Sequence, residues 1–484
     1  MASPFRPVDR ATPYLMPPSL EEWLPEDHMA RFVVEIVDRL DTTALEQAYA
    51  GRGSKAYHPK MLLSLLFYGY ATGVCSSRKL EAATYESVPV RYVAANQHPD
   101  HDTICTFRRR FLPELQELFV EILLIAAELD LTELGTVSLD GTKVRANASK
   151  HKAMSWKRAL ELEEKLEEEV ALLMQKAEEA DQREDLDHVD LPEEIRLREK
   201  RLQGIREAKR RIKERARERY EAEEAAYEER MAKRQEEEER TGRKKPGRKP
   251  EPPEPGPRPK DQVNFTDPES RIMPGRGGQF EQCYNAQQLV DTESRLVVAA
   301  HVTQAPVDKQ ELVVALEQLA QLPETLGQAD CVLADAGYFS NDNVVEAAER
   351  GLQPLIAEKR SGKKLTLEER LAPEPSAEEL SSEELTPLER MRLVRQSRAG
   401  RRRYALRKST SEPVIGIIKE AMGFRQFLLR GLEKVTGEWT LVSIAYNLRR
   451  LHRLWLEKVA EAADKARGID TPGEGQPVRV RATP

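Results

Sequence analysis

Apolar residues recur at three- and four-residue spacing in four stretches between residues 20 and 128: "PEDHMARFVVEIVDRL", "HPKMLLSLLFYGYATG", "SSRKLEAATY" and "HDTICTFRRRFLPELQELFVEILLIAAEL". That period predicts helices, each burying one face. Ser76 with Ser77, and Asp102 with Thr103, are start signals, and "HPDH" (98–101) reads as a turn that begins a helix rather than as a metal-binding pair. The result is a compact helical region. Such bundles often carry helix-turn-helix units, so Arg108, Arg109 and Arg110 read either as a phosphate-backbone contact or as a solvated charged face.

The pattern changes at "TVSLDGTKVRANASKHK". Thr136 to Leu139 and Thr142 to Ala146 are strand-like runs separated by Asp140 and Gly141, the strongest short-range hairpin signal. From Trp156 to Arg240 the chain is Glu, Lys, Arg, Ala and Leu with few aromatic residues, broken only at "DLDHVDLPEE". Two long charged helices in an antiparallel hairpin account for this, with Ile195, Leu202, Ile205 and Ile212 as a thin seam that needs a partner or leaves the hairpin partly mobile. A basic and then Pro-rich linker follows at 241–262, its Arg243, Lys244 and Lys245 placed to touch DNA. Strand-like alternation returns in "CYNAQQLVD" and "RLVVAAHVTQ", a hairpin joined by "DTES". Next come a helix in "VDKQELVVALEQLAQLP", a strand in "DCVLADAGYF" ending at Asp335, a helix in "NDNVVEAAERG" and a strand in "LQPLIAEK". After a charged excursion (361–398), "GRRRYALRKSTSEPVIGIIKE" begins strand-like and turns helical near Glu412. A last amphipathic helix leads to a disordered tail at 468–484.

Composition adjusts this picture in a few places. In 484 residues the hydrophobic fraction is 39% and the charged fraction 33%, so part of the chain lies outside any core. A net charge of −7 does not announce a nucleic-acid binder, which leaves local basic clusters to carry any such role. No signal peptide and no run near the roughly 18 apolar residues of a membrane span is evident, so a soluble cytoplasmic protein is expected. The four cysteines are too scattered for a disulfide framework or a zinc site.

Asp140 in "SLDG" and Asp335 in "LADAG" each close an apolar strand. If those strands are neighbours, two carboxylates converge at one sheet edge and repel. A divalent cation with hard oxygen ligands, Mg2+ or Mn2+, removes that penalty, and two such ions about 4 Å apart support in-line phosphoryl displacement. Glu412, read as the start of a helix with Pro413 in its first turn, is the natural third acid. Tyr404, Arg407 and Lys419 surround it, the last two suited to phosphate. Taken singly, Glu412 is also an ordinary first-turn acid, Tyr404 a strand aromatic and Lys419 a surface lysine.

Tyr404, Arg407, Glu412 and Lys419 together resemble the Y-R-E-K signature of bacterial insertion-sequence transposases of the DDE class, with the arginine-to-glutamate gap one residue longer than usual. "SLDGTKVRANASKHK", "DPESRIMPG" with "YNAQ", "LADAGYFSNDNV" and the N-terminal "YHPKMLLSLLFYGYATGVCSSRKLE" and "DTICTFRRRF" are similar to segments of the insertion-sequence 1182 group. The resemblance implies an α/β, RNase H-like catalytic core, interrupted by the charged helical hairpin and preceded by an all-helical DNA-binding domain. The expected divisions are 1–130 for that domain, 131–155 for the first core strands, 156–240 for the hairpin, 241–262 for the linker, and 263–467 for the rest of the core. It further implies a transposase that binds terminal inverted repeats and target DNA, uses two Mg2+ or Mn2+ ions held by Asp140, Asp335 and Glu412, acts as a homodimer on DNA and associates with the nucleoid. Tyr404, Arg407, Lys419, Arg108 to Arg110 and Arg243 to Lys245 would contact DNA. A metal-dependent nuclease on the same fold and a domesticated, non-catalytic DNA-binding relative are the other readings. Asp140 and Asp335 can meet only if the hairpin leaves and re-enters the core at nearly one place.

Overall fold

The computed structural model describes residues 19–49, 56–181, 191–242, 247, 249–275, 278–358, 374–376, 379 and 385–467. Arg243, Lys244, Lys245 and the 468–484 tail lie outside them, as does the break between the hairpin helices. The chain divides into two compact units, one of 1–144 with 285–484 and one of 145–284.

In the first unit the N-terminal region is helical as its period predicts: α1 (Met29–Arg39), α2 (Thr43–Gln47), α3 (Pro59–Ala71), α4 (Ser77–Glu86), α5 (Val88–Val93), α6 (His101–Arg110) and α7 (Leu115–Glu128). The "HPDH" segment does start a helix, although the cap is Asp100, whose carboxylate accepts from Thr103 N–H at 2.8 Å. Next comes β1 (Leu134–Arg145), and here the hairpin expectation fails. Twelve residues run as one strand straight through Asp140 and Gly141. Gly141 serves close approach instead of a turn: a Cβ there would lie 2.4 Å from the side-chain nitrogen of Gln287.

The second unit contains β2 (Ala153–Ser155), the helices α8 (Trp156–Asp181) and α9 (Leu191–Thr241), then β3 (Gln262–Asn264) and β4 (Arg271–Pro274). The two helices run antiparallel. Leu202 and Ile205 pack with Met154, Ala159 and Leu166, while Ile212 packs with Ala208 and Val263, so the seam is thicker than the four residues read from sequence. Ion pairs flank it, Arg198 with Glu169 at 3.0 Å and Arg206 with Glu167 at 2.9 Å. The Pro-rich end of the linker is extended and held against α9, where Arg219 grips the Asp261 carboxylate at 2.8 and 2.9 Å.

Strand β5 (Phe280–Asp291) brings the chain back beside the strand it left, and Ala146 N–H meets Gln282 C=O at 2.8 Å. The excursion thus begins and ends on neighbouring strands. After it come β6 (Val297–Thr303), α10 (Glu311–Ala320), β7 (Gly327–Ala334), α11 (Asn341–Glu349), β8 (Gln353–Ile356), α12 (Pro387–Gln396), α13 (Arg398–Gly416) and α14 (Leu432–Ala466). The strand order in the first unit is β6-β5-β1-β7-β8. β5 and β6 are antiparallel, whereas β1, β7 and β8 are mutually parallel. Helix α12 falls within the charged excursion of 361–398, and α13 replaces the predicted basic strand: residues 398–416 are helical throughout, with Pro413 inside.

Helix α14 covers the antiparallel side of the sheet. The Asn447 side chain exchanges two 2.8 Å hydrogen bonds with the backbone of Val297, and Trp439 Nε1 donates to Gln287 C=O at 3.0 Å. The N-terminal helices are fastened to α14 by a buried polar triad. Arg108 donates to the Tyr70 hydroxyl at 2.8 Å, Tyr70 donates to Glu438 at 2.9 Å, and the other Glu438 oxygen accepts from Leu428 and Leu429 N–H. Arg108, only 6% exposed, is therefore a structural residue; its guanidinium is spent inside the protein and cannot meet a phosphate. Removing one partner of a buried charge pair strands the other, at about 3–5 kcal/mol. In urea unfolding, Arg108→Ala is expected to lose about that much stability, and Arg109→Ala, on the exposed side, less than about 0.5 kcal/mol.

Candidate active site

Side chains alternate across a strand, so residues 136, 138, 140 and 142 of β1 share one face. Helix α13 and its continuation cover that face. Arg403 Nε donates to Thr136 Oγ1 at 2.8 Å, Ser411 and Ser138 share a buried 2.6 Å hydroxyl hydrogen bond, and Lys419 donates to Thr142 Oγ1 and, at 3.1 Å, to Lys143 C=O. Ser411 immediately precedes Glu412, so its bond to Ser138 holds the third acid over the strand that carries the first. Glu412 lies inside the helix rather than at its start, correcting the first-turn reading. The helix then widens into a π-turn at Ile417–Ala421, which carries Lys419; such turns recur at functional sites.

The parallel pairing of β1 and β7 sets the two aspartates side by side. Thr136, Val137 and Ser138 pair with Cys331, Val332 and Leu333, a constant offset of 195 residues, and 195 also separates Asp140 from Asp335. Asp335 follows the last residue of β7, where its Oδ1 accepts the Gly337 N–H at 2.7 Å. The Asp140 Oδ1 accepts from Gly141 N–H at 2.9 Å.

The electrostatics reflect this convergence. Burial pushes the Asp140 carboxyl up to about 6, and the charges of Asp335 and Glu412 push the same way against the Gly141 N–H and Arg407. Arg407, whose side chain is 13% exposed, spans the gap: Nη1 lies 4.0 Å from Asp140 and Nη2 3.3 Å from Glu412. Its Nε is buried and finds no acceptor among the described residues. Among the described residues no group of three or more His, Cys, Asp or Glu side chains is gathered tightly enough to hold a metal ion. The donor set nonetheless fits a hard divalent cation in charge and chemistry. Asp140 and Asp335 lie on adjacent strands with Glu412 above them, the charges of the latter two add to the cost of ionising Asp140, and a cationic side chain lies between Asp140 and Glu412.

The remaining predicted residues divide. Tyr404 is helical and packs with Val394 on Cys331, Leu333 and Leu355, with the Arg395 guanidinium 5.0 Å above its ring. It is partly buried and packs onto the sheet, on a helix rather than the strand read from sequence. Arg109 is exposed, and Arg110 is exposed while stacking over Tyr49 at 5.2 Å and Phe111 at 5.1 Å. Sequence reading missed Ser138, Ser411 and Arg403, which seat the helix. Their signal is the polar residue at every second position of β1, visible only once the strand is known to be unbroken.

Residues 18–110 match the family described as transposase domain (DUF772), and residues 256–448 match the family described as transposase DDE domain. The second match contains Asp335, Arg407, Glu412 and Lys419; Asp140 falls between the two. No curated protein and no solved structure matches the chain. By class the protein is a polynucleotidyl transferase with endonuclease chemistry. More particularly, it carries a transposase DDE domain behind a second transposase domain.

An acid held near pKa 6, against an ordinary 3.8, ionises less readily in the fold than in the unfolded chain, so its contribution to stability falls as pH rises between about 4 and 6. Asp140→Asn is therefore expected to stabilise the metal-free protein in EDTA at pH 8 by about 1–3 kcal/mol. The gain should vanish below about pH 4 in the same unfolding measurement, because there wild-type Asp140 is protonated in both states.

Proposed function

We propose that this transposase binds the terminal repeats of its own insertion sequence, cuts the DNA there and joins the freed 3′-hydroxyl to target DNA. The carrying observation is the 195-residue register between β1 and β7, which puts Asp140 beside Asp335 while Ser411 seats Glu412 above them. The strand order, three antiparallel strands followed by two parallel ones, supports an RNase H-like core of the kind the resemblance to the insertion-sequence 1182 group implies.

In this reading Asp140 and Asp335 hold Mg2+ or Mn2+, as the pair of ions such sites use, and Glu412 completes the set. When bound, these ions supply the positive charge that acidifies an attacking hydroxyl and stabilises the leaving oxygen. The chain's own residues do the rest. Arg407 neutralises Asp140 and Glu412 before loading and then turns its guanidinium to a phosphate near the scissile bond. Lys419, at the end of β1, adds a second cation on the same side. Arg109 and Arg110, with Arg243, Lys244 and Lys245, add salt-dependent affinity for the DNA backbone. Two ends must be processed together, which calls for a homodimer on DNA.

The test is cleavage of terminal-repeat DNA in Mg2+ by wild type and by Asp140→Ala, Asp335→Ala and Glu412→Ala. Each variant is expected to bind the DNA normally and to cut at least 1,000-fold more slowly, on the order of the loss expected when a site's main charge-stabilising group is removed. Cutting at the wild-type rate would refute the assignment. Paired ends with a target plasmid separate strand transfer from simple nuclease action.

A further inference from the structure

The odd positions of β1 face away from α13 and meet a second polar cluster. Thr136 with Thr292 at one end, and Ala146 with Gln282 at the other, fix an antiparallel register that puts Gly141 opposite Gln287 and Lys143 opposite Asn285. Three of them, Gln287, Lys143 and Asn285, converge on Asp308, in the segment before α10. Its Oδ1 accepts from Asn285 Nδ2 at 2.6 Å and from Gln287 Nε2 at 2.9 Å, and lies 3.3 Å from Lys143 Nζ. With its nitrogen committed to Asp308 and to Ala305 C=O, the Asn285 amide is left with a buried oxygen that finds no donor among the described residues. An unmatched acceptor of that kind is tolerated where geometry matters more than stability.

From Asp308 the contacts lead to both catalytic aspartates. The Gln287 nitrogen donates to Asp308, which leaves its carbonyl oxygen to accept the Tyr338 hydroxyl. Tyr338 closes the turn that begins at Asp335, its N–H on the Asp335 C=O at 3.2 Å, and Gly337 within that turn donates to the Asp335 carboxylate. The Asn343 side chain fastens the Tyr338 and Lys309 carbonyls together at 2.6 and 2.7 Å. On its other side Gln287 packs against Gly141, next to Asp140. Neither glycine has room for a Cβ: at Gly337 one would sit 2.9 Å from Asp335 Oδ1 and 3.6 Å from Asp308 Oδ2.

We infer that Asp308 is a positioning residue: through Gln287, and through Tyr338 beyond it, Asp308 sets the spacing between the Asp140 and Asp335 carboxylates. This rests on the reading of those two aspartates as metal ligands. Lys143 balances the Asp308 charge, and the Gln287 amide acts as the spacer, touching the neighbourhood of both acids at once. Groups that orient metal ligands from behind typically change metal affinity 10- to 100-fold when altered.

The experiment is Mn2+ binding to the full-length protein by calorimetry, with melting temperature recorded alongside, for wild type, Asp308→Asn, Tyr338→Phe and Asp140→Ala. Asp308→Asn and Tyr338→Phe are expected to weaken Mn2+ binding by about 10- to 100-fold while melting within a few degrees of wild type. Tyr338→Phe removes one hydrogen bond at almost constant volume and keeps the test decisive if Asp308→Asn does not fold. Unchanged Mn2+ affinity in both variants, with binding lost in Asp140→Ala, would overturn the role of Asp308 and leave the metal site standing. Wild-type binding by Asp140→Ala would overturn the metal reading itself. Loss of binding only in proportion to a large fall in melting temperature would assign Asp308 a purely structural part and overturn the inference.

Discussion

Everything at the site depends on the parallel pairing of β1 with β7 beyond the irregularity between Leu134 and Thr136. Because the pairing keeps a 195-residue offset from Thr136 to Ser138, Asp140 and Asp335 fall at matching positions on the same face. A slip of one residue would send one of them to the opposite face, since side chains alternate. The register is held from both sides: α13 is anchored to Thr136 and Ser138 on one face, and Gln287 packs on Gly141 from the other. The long excursion between the strands is compatible with that register because it starts and finishes on neighbouring strands, where Ala146 and Gln282 are hydrogen-bonded.

Bringing acids together in a partly buried place opposes folding, and the fold answers in two ways. Asp140 holds its proton up to about pH 6, and Arg407 sits between Asp140 and Glu412. The first is due mainly to burial with the neighbouring acids adding to it, the second to the pull of the two carboxylates, and a divalent cation would relieve both. The buried Arg108, Tyr70 and Glu438 triad works differently: it is hydrogen-bonded within the protein and ties the N-terminal helices to α14.

Much of the architecture was legible in the chain. From β5 to β8 the alternation of short strands and amphipathic helices gave the element order, and the thin seam of Leu202, Ile205 and Ile212 identified the helical hairpin. The failures have local causes. Asp140-Gly141 carries turn chemistry, but the glycine is there to admit Gln287, a long-range requirement that no local pattern displays. The segment around Tyr404 alternates like a strand, yet helix formation wins because its face packs on Cys331, Leu333 and Leu355. Arg108 looked like its neighbours Arg109 and Arg110; what buries it is a triad whose Tyr70 and Glu438 lie 368 residues apart in sequence. The three acids were visible as motifs, while the hydroxyls, amides and Asp308 that place them became visible only with the sheet.

The central claim is that Asp140, Asp335 and Glu412 form one divalent-cation site. Anomalous diffraction from crystals of the protein grown with Mn2+ and terminal-repeat DNA tests it directly. Manganese should appear at about 2.1 Å from carboxylate oxygens of Asp140 and Asp335, with Glu412 on the same cluster and Arg407 displaced from between the acids. Manganese bound elsewhere, with Arg407 still bridging Asp140 and Glu412, would contradict it.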